Sequence, residues 1–157
     1  MTPTMSRPTL NRSLVLPCAL LLLAAGTVRA QTAADSTAIR QAALDYIEGW
    51  YAGDPERMER ALHPDLAKRL VQTDAQSGRS RLDQQSALTL VLGTRAGYGR
   101  DTPAERQQKD VTILDVFGNA ASVKIVASDW IDYLHLARWN GDWKIVNVLW
   151  ELKPETP

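Results

Sequence analysis

Two histidines, His63 and His135, five tryptophans and a cluster of loop arginines are the residues of this sequence best suited to ligand chemistry. A carboxylate with two histidines could hold a metal. His63, however, sits at a helix end before Pro64 and His135 falls in mid-strand, with no short ligand spacing, so no metal site is expected. His63 reads as terminating a helix, and His135 as lying in a sheet interface, where an imidazole packs and still hydrogen-bonds. Trp50, Trp130, Trp139, Trp143 and Trp150, with Tyr51 and Tyr133, could stack ring faces on a planar ligand. The alternative places Trp50 and Trp143 in the core and Trp139, beside a turn, partly in solvent. Arg95, Arg100 and Arg106 with Tyr98 could overhang a cavity mouth and meet an anionic substrate, or form a solvated loop balanced by Asp101 and Glu105. Gly93, Gly97 and Gly99 are no phosphate cradle, because neither Lys-Ser nor Lys-Thr nor a helix start follows them, and no Gly-x-Ser-x-Gly elbow supports serine hydrolysis.

The elements that must position these groups are helical first and extended after. From Ser36 to Ala52, Ile39, Ala43, Tyr46, Ile47 and Trp50 recur at three- and four-residue steps and Gly53 follows, which predicts an amphipathic helix with Tyr46 on its apolar stripe. Asp54-Pro55-Glu56 starts a second helix, since aspartate caps free amides and proline suits the first turn; Met58, Ala61 and Leu62 form its buried side. His63-Pro64 ends it, and Leu66, Leu70 and Val71 continue an apolar stripe before the polar stretch Gln72 to Arg81. A third helix is expected from near Asp83 to Gly93, then a long loop from Thr94 to Gln108. After Lys109 the period becomes two, and Gly118-Asn119 and Asn140-Gly141 mark two hairpins. Helices followed by strands predict an α+β fold, the helices packed on one face of an antiparallel sheet.

Residues 1–30 have the layout of a cleaved secretory signal peptide: Arg7 and Arg12, the apolar run Leu14 to Ala25, then Val28-Arg29-Ala30. The run is about twelve residues long where a spanning helix needs roughly twenty, so no membrane span is expected after cleavage. The lone Cys18 leaves with the leader, which excludes thiol, iron-sulfur and cysteine-zinc chemistry from the mature chain. The whole sequence balances 18 basic against 18 acidic residues; losing the leader's three arginines leaves 15 against 18, a net charge near −3. That is no footprint for nucleic acid, which needs a basic surplus to displace counterions. Residues 31–157 are expected to form a single domain.

Hairpin register adds the faces. With Asn140-Gly141 as a two-residue turn, Leu136 pairs with Ile145 and Asp132 with Leu149. One face then carries Leu134, Leu136, Trp143, Ile145 and Leu149 around Asp132 and Asn147, the other Ile131, Tyr133, His135, Val146, Val148 and Trp150. A three-residue turn would swap one strand's faces. Either way both faces are largely apolar, and a second covered face implies association with another subunit.

Asp45 through Tyr51 running into Gly53-Asp54, Ala61-Leu62-His63-Pro64-Asp65 through Arg69, Asp132 through Arg138 and Trp143 through Asn147 resemble the nuclear transport factor 2-like superfamily, in particular its branch of putative lumazine-binding proteins. The resemblance implies three N-terminal helices closing a cone-shaped, curved antiparallel sheet over an apolar cavity, in a homodimer joined through the sheet. It is specific for fold and not for activity, because this scaffold hosts isomerases, dehydratases, cyclases and binding modules.

Tyr46-Ile47-Glu48 and Ile131-Asp132 also resemble the segments of ketosteroid isomerases whose tyrosine and protonated aspartic acid donate to a substrate oxyanion. That resemblance implies Tyr46 and Asp132 as catalytic donors; the alternative is a core tyrosine with a satisfied buried acid. The isomerases' carboxylate base falls near Leu70 here, so no general base is identified. The expected function is an exported, periplasmic or secreted small-molecule-binding protein without cofactor, Trp50, Leu134, Trp143 and Asn147 contacting the ligand. The alternatives are an isomerase or dehydratase using Tyr46 and Asp132, and an interaction module with a filled core.

Overall fold

Ile39, Ala43, Tyr46 and Ile47 step along α1 (Cys18–Ala52) every three or four residues and all are buried, as a helix packed along one stripe requires. The computed structural model describes residues 18–154, with side chains from Ala33 onward. The chain divides into two units, Met1–Ala33 and Ala34–Pro157. In the first, the backbone described from Cys18 is helical; the leader expected over residues 1–30 falls there, and its residues 1–17 lie outside the described residues. Among the described residues no helix is long and apolar enough to cross a membrane.

Arg100 closes α1 by donating to the carbonyls of Ala52 and Gly53 at 3.0 and 3.2 Å, groups that a helix end leaves without partners. The Asp54 side chain accepts from Arg57 N and Pro55 opens α2 (Pro55–Ala61). Asp45 on α1 then pins α2, accepting from Arg57 Nε at 2.8 Å and Arg60 Nε at 3.0 Å.

The next segment departs from expectation. Residues after α2 form a strand, β1 (Leu62–Thr73), whose Leu66, Lys68 and Leu70 point inward in alternation, and β2 (Ser80–Ser86) pairs back on it. The third helix therefore starts later than Asp83: Ser86 accepts from Thr89 N and caps α3 (Ala87–Ala96). The loop that follows carries one 3-10 turn, Ala104–Arg106. Two hairpins, β3 (Lys109–Phe117) with β4 (Ala120–Ala127) and β5 (Trp130–Trp139) with β6 (Asp142–Leu152), complete a six-stranded curved sheet in the order β2-β1-β6-β5-β4-β3. All neighbours are antiparallel except β1 and β6, which run parallel. The fold is α+β, three helices on one mostly antiparallel sheet.

Asn140 and Gly141, both at positive φ, make the two-residue turn, with Trp139 opposite Asp142. The expected register holds only as far as Leu136 with Ile145. A bulge at Val146 then shifts it by one, so His135 pairs with Asn147, Leu134 with Val148 and Asp132 with Trp150. This corrects the faces: Val148 and Trp150 join Asp132 on the inner side, while Asn147 and Leu149 move to the outer side with His135 and Tyr133. The core lies between helices and sheet, built from Ile39, Ile47, Met58, Val123, Ile125, Leu134, Leu136, Ile145 and Val148.

Candidate functional site

Lys68 occupies an inward position of β1, opposite Val148 on β6, and Asp132 lies one strand further on, opposite Trp150. Strands are spaced about 4.8 Å apart, so a side chain on β1 must cross roughly 10 Å to meet one on β5. The lysine stem does so. Its Nζ donates to Asp132 Oδ1 at 2.9 Å and to Tyr46 Oη, on α1, at 2.6 Å. On the way the ammonium passes 4.6 Å from the ring centroid of Trp150, with Tyr46 and Trp130 at 5.4 and 5.9 Å, a spacing at which ring faces attract a cation. Trp130 Nε1 donates to the second oxygen of Asp132 at 2.7 Å.

The charges follow from this geometry. Asp132 is 0% exposed and Lys68 6%, so the two form a buried salt bridge in which the carboxylate accepts at both oxygens, one of them from the ammonium. In this arrangement Asp132 positions Lys68 and accepts at both of its oxygens. Burial pushes the Tyr46 phenol well above its ordinary pKa, and the charge of Asp132 pushes the same way, so Tyr46 keeps its proton. Tyr46 accepts from Lys68 and remains a donor.

Beside this cluster a cavity of about 330 Å³ opens between helices and sheet, lined by Tyr46, Ile47 and Trp50 of α1, Leu90 of α3, Lys68, Trp130 and Trp150, with Gln85, Asp129 and Leu152 as its exposed lining residues. It is large enough for a small ligand.

The structure brings Tyr46, Asp132 and Trp50 to one place and leaves the other expected ligand contacts elsewhere. Leu134 is buried core two residues along β5. Trp143 donates to Asp35 Oδ1 at 3.3 Å and packs under Arg138. Asn147, carried outward by the bulge, accepts from Arg69 at 2.8 Å and contacts His135. His63 does not end a helix but sits in β1, edge-on to Trp139 at 4.7 Å between ring centroids. Arg100 serves the end of α1. Leu70, at the position of the isomerases' base, is buried on β1, and Asp129 is the carboxylate that lines the cavity. Among the described residues no group of three histidine, cysteine or acidic side chains could hold a metal ion.

Sequence reasoning missed Lys68, Trp130 and Trp150 as one site. The available signal was the alternation Leu66, Lys68, Leu70, which places a lysine on the apolar side of a strand.

Helices roofing a curved sheet with a cavity between them make the nuclear transport factor 2-like fold, and solved structures share it. A protein from Novosphingobium aromaticivorans, described as NTF2-like with a cystatin-like fold, aligns with TM-score 0.61 and 15% identity over 88% of this chain and 93% of its own. An NTF2-like protein of unknown function from Shewanella baltica gives 0.60 and 19% over 78% and 97%. Another from Silicibacter pomeroyi gives 0.58 and 16% over 78% and 98%. No curated protein matches. Within that class, residues 34–151 match the family described as "Putative lumazine-binding", and the chain belongs to it.

Proposed function

We propose that this protein binds a small, partly apolar, planar molecule in the cavity between α1, α3 and the sheet. The observation that carries the reading is the cavity itself: three indole rings, Trp50, Trp130 and Trp150, beside the buried Lys68 ammonium. Aromatic walls with one polar focus suit stacking of a flat ligand and orientation of one polar group. Native mass spectrometry of protein purified from its own cells tests it. A co-bound small molecule lost on Trp150→Ala supports the reading; an unliganded protein that also fails to bind any bicyclic aromatic probe overturns it.

The chain is exported to the periplasm or secreted, its leader removed after Ala30; the supporting feature is the charged, apolar and small-residue order of residues 1–30. N-terminal sequencing of the mature protein is expected to begin at Gln31. It pairs as a homodimer through the outer sheet face, where Tyr133 (44% exposed) and its cross-strand partner Leu149 (49%) sit side by side. Light scattering is expected to give a dimer, and Leu149→Glu a monomer; a monomeric parent protein at high micromolar concentration refutes the pairing.

A further inference from the structure

We infer that the cavity selects its ligand by an oxygen acceptor: a planar molecule that sets a carbonyl or carboxylate oxygen against Lys68 and carries no donor on that edge. The inference rests on the small-molecule reading above and names its ligand class.

An ammonium has three N–H donors and no acceptor. Lys68 spends two on Tyr46 and Asp132, and the third has no protein acceptor among the described residues. Tyr46 has its lone-pair side turned to Lys68 and keeps its proton. The indole N–H groups of Trp50 and Trp150 likewise donate to no protein acceptor among the described residues, and the Trp130 N–H is engaged by Asp132. Both Asp132 oxygens are already taken, and Asp132 is not part of the lining. The buried and half-buried side chains of the lining therefore offer donors and apolar surface, and its free side-chain acceptors belong to the exposed Gln85 and Asp129.

Charge points the same way. At the buried end of the cavity a ligand meets Lys68 at first hand and Asp132 only behind it, so the nearer charge there is positive, while the other charged lining residue, Asp129, is exposed to solvent. A ligand edge bearing N–H would leave buried donors face to face, a penalty that sites built for hydrogen bonding impose strongly. An edge bearing oxygen satisfies them.

Bicyclic probes titrated calorimetrically into the full chain decide this. Coumarin and 2-naphthoate present an oxygen acceptor, naphthalene presents neither donor nor acceptor, and indole presents an N–H. The first two are expected to bind about tenfold or more tighter than the others. The double variant Lys68→Met/Asp132→Asn removes the ion pair together, leaving no lone buried charge, and is expected to lose the preference while still binding naphthalene. Equal affinities for all four probes overturn the acceptor inference and leave the cavity reading standing. A preference that the double variant retains also overturns it, because Lys68 is then not its source. Failure of every probe, naphthalene included, overturns both.

Discussion

Lys68 and Asp132 meet at 2.9 Å, nitrogen to oxygen, although their strands are not neighbours: β6 runs between them and the lysine stem crosses it beneath Trp150. The pair thus ties β1 to β5 from the inner side of the sheet, where Tyr46 of α1 closes over it. Removing one partner leaves the other charged and buried. Lys68→Met is expected to cost about 3–5 kcal/mol in urea unfolding, and adding Asp132→Asn to recover most of that loss. A single variant as stable as the double would show that the pair holds nothing together.

Tyr46 makes an alkaline prediction. Its folded pKa is raised above the unfolded one, so at high pH the folded chain binds the phenolic proton that the unfolded chain has released. The stability linked to Tyr46 is therefore full below the ordinary tyrosine pKa near 10 and falls as pH rises beyond it. Unfolding free energies of the parent protein and Tyr46→Phe are expected to differ by a constant amount below about pH 10 and to draw together over the range above it. A constant difference across that range would place the phenol in a solvated setting.

Much of this site's setting was legible beforehand and its centre was not, for identifiable reasons. The stripe Ile39, Ala43, Tyr46 announces α1, and Asn140-Gly141 announces the β5-β6 turn, because each pattern has one geometric solution. β2 has mostly exposed residues and so no alternation to read, and the turn before it is set by Asp74 accepting from Ser77 rather than by an Asn-Gly pair. With β2 unseen, Leu66, Leu70 and Val71 read only as a continuing apolar stripe, and Lys68 between them is not singled out. The bulge is silent for a different reason: beyond Ile145 one register turns Leu149 inward and the other Val148 and Trp150, so only Asn147 separates the two.

Asp45 makes the acid counterpart. Burial raises its pKa, but hydrogen bonds from Arg57, Arg60 and Gln41 and the charge of Arg60 outweigh that, and the net shift is downward. With a depressed folded pKa, its contribution is present above the unfolded aspartate pKa near 4 and is lost as pH falls through the folded one. Asp45→Asn is expected to destabilise by about 1–3 kcal/mol at pH 7, because α2 loses its anchor on α1. Thermal unfolding of the two proteins is expected to converge as pH falls from about 4 downward. A gap that persists in acid would assign the loss to packing instead of charge.

Two glycines lie against Trp50 of the cavity wall. A Cβ on Gly99 would lie 2.2 Å from the Trp50 carbonyl oxygen and 2.6 Å from Trp50 Cδ1, so backbone must move and Trp50 with it. A Cβ on Gly93, in α3, would meet Tyr98 at 3.4 Å and the Trp50 ring at 3.5 Å, ordinary contact. Gly99→Ala is therefore expected to cost about 1–3 kcal/mol and to weaken probe binding through the displaced indole. Gly93→Ala is expected to bind unchanged and to gain up to about 1 kcal/mol from helix propensity. Both read out in one experiment, urea unfolding with coumarin titration. If Gly99→Ala bound coumarin as tightly as the parent protein, Trp50 would be a bystander to the ligand, and the stacking role would pass to Trp130 and Trp150, which stand on the sheet side of the cavity.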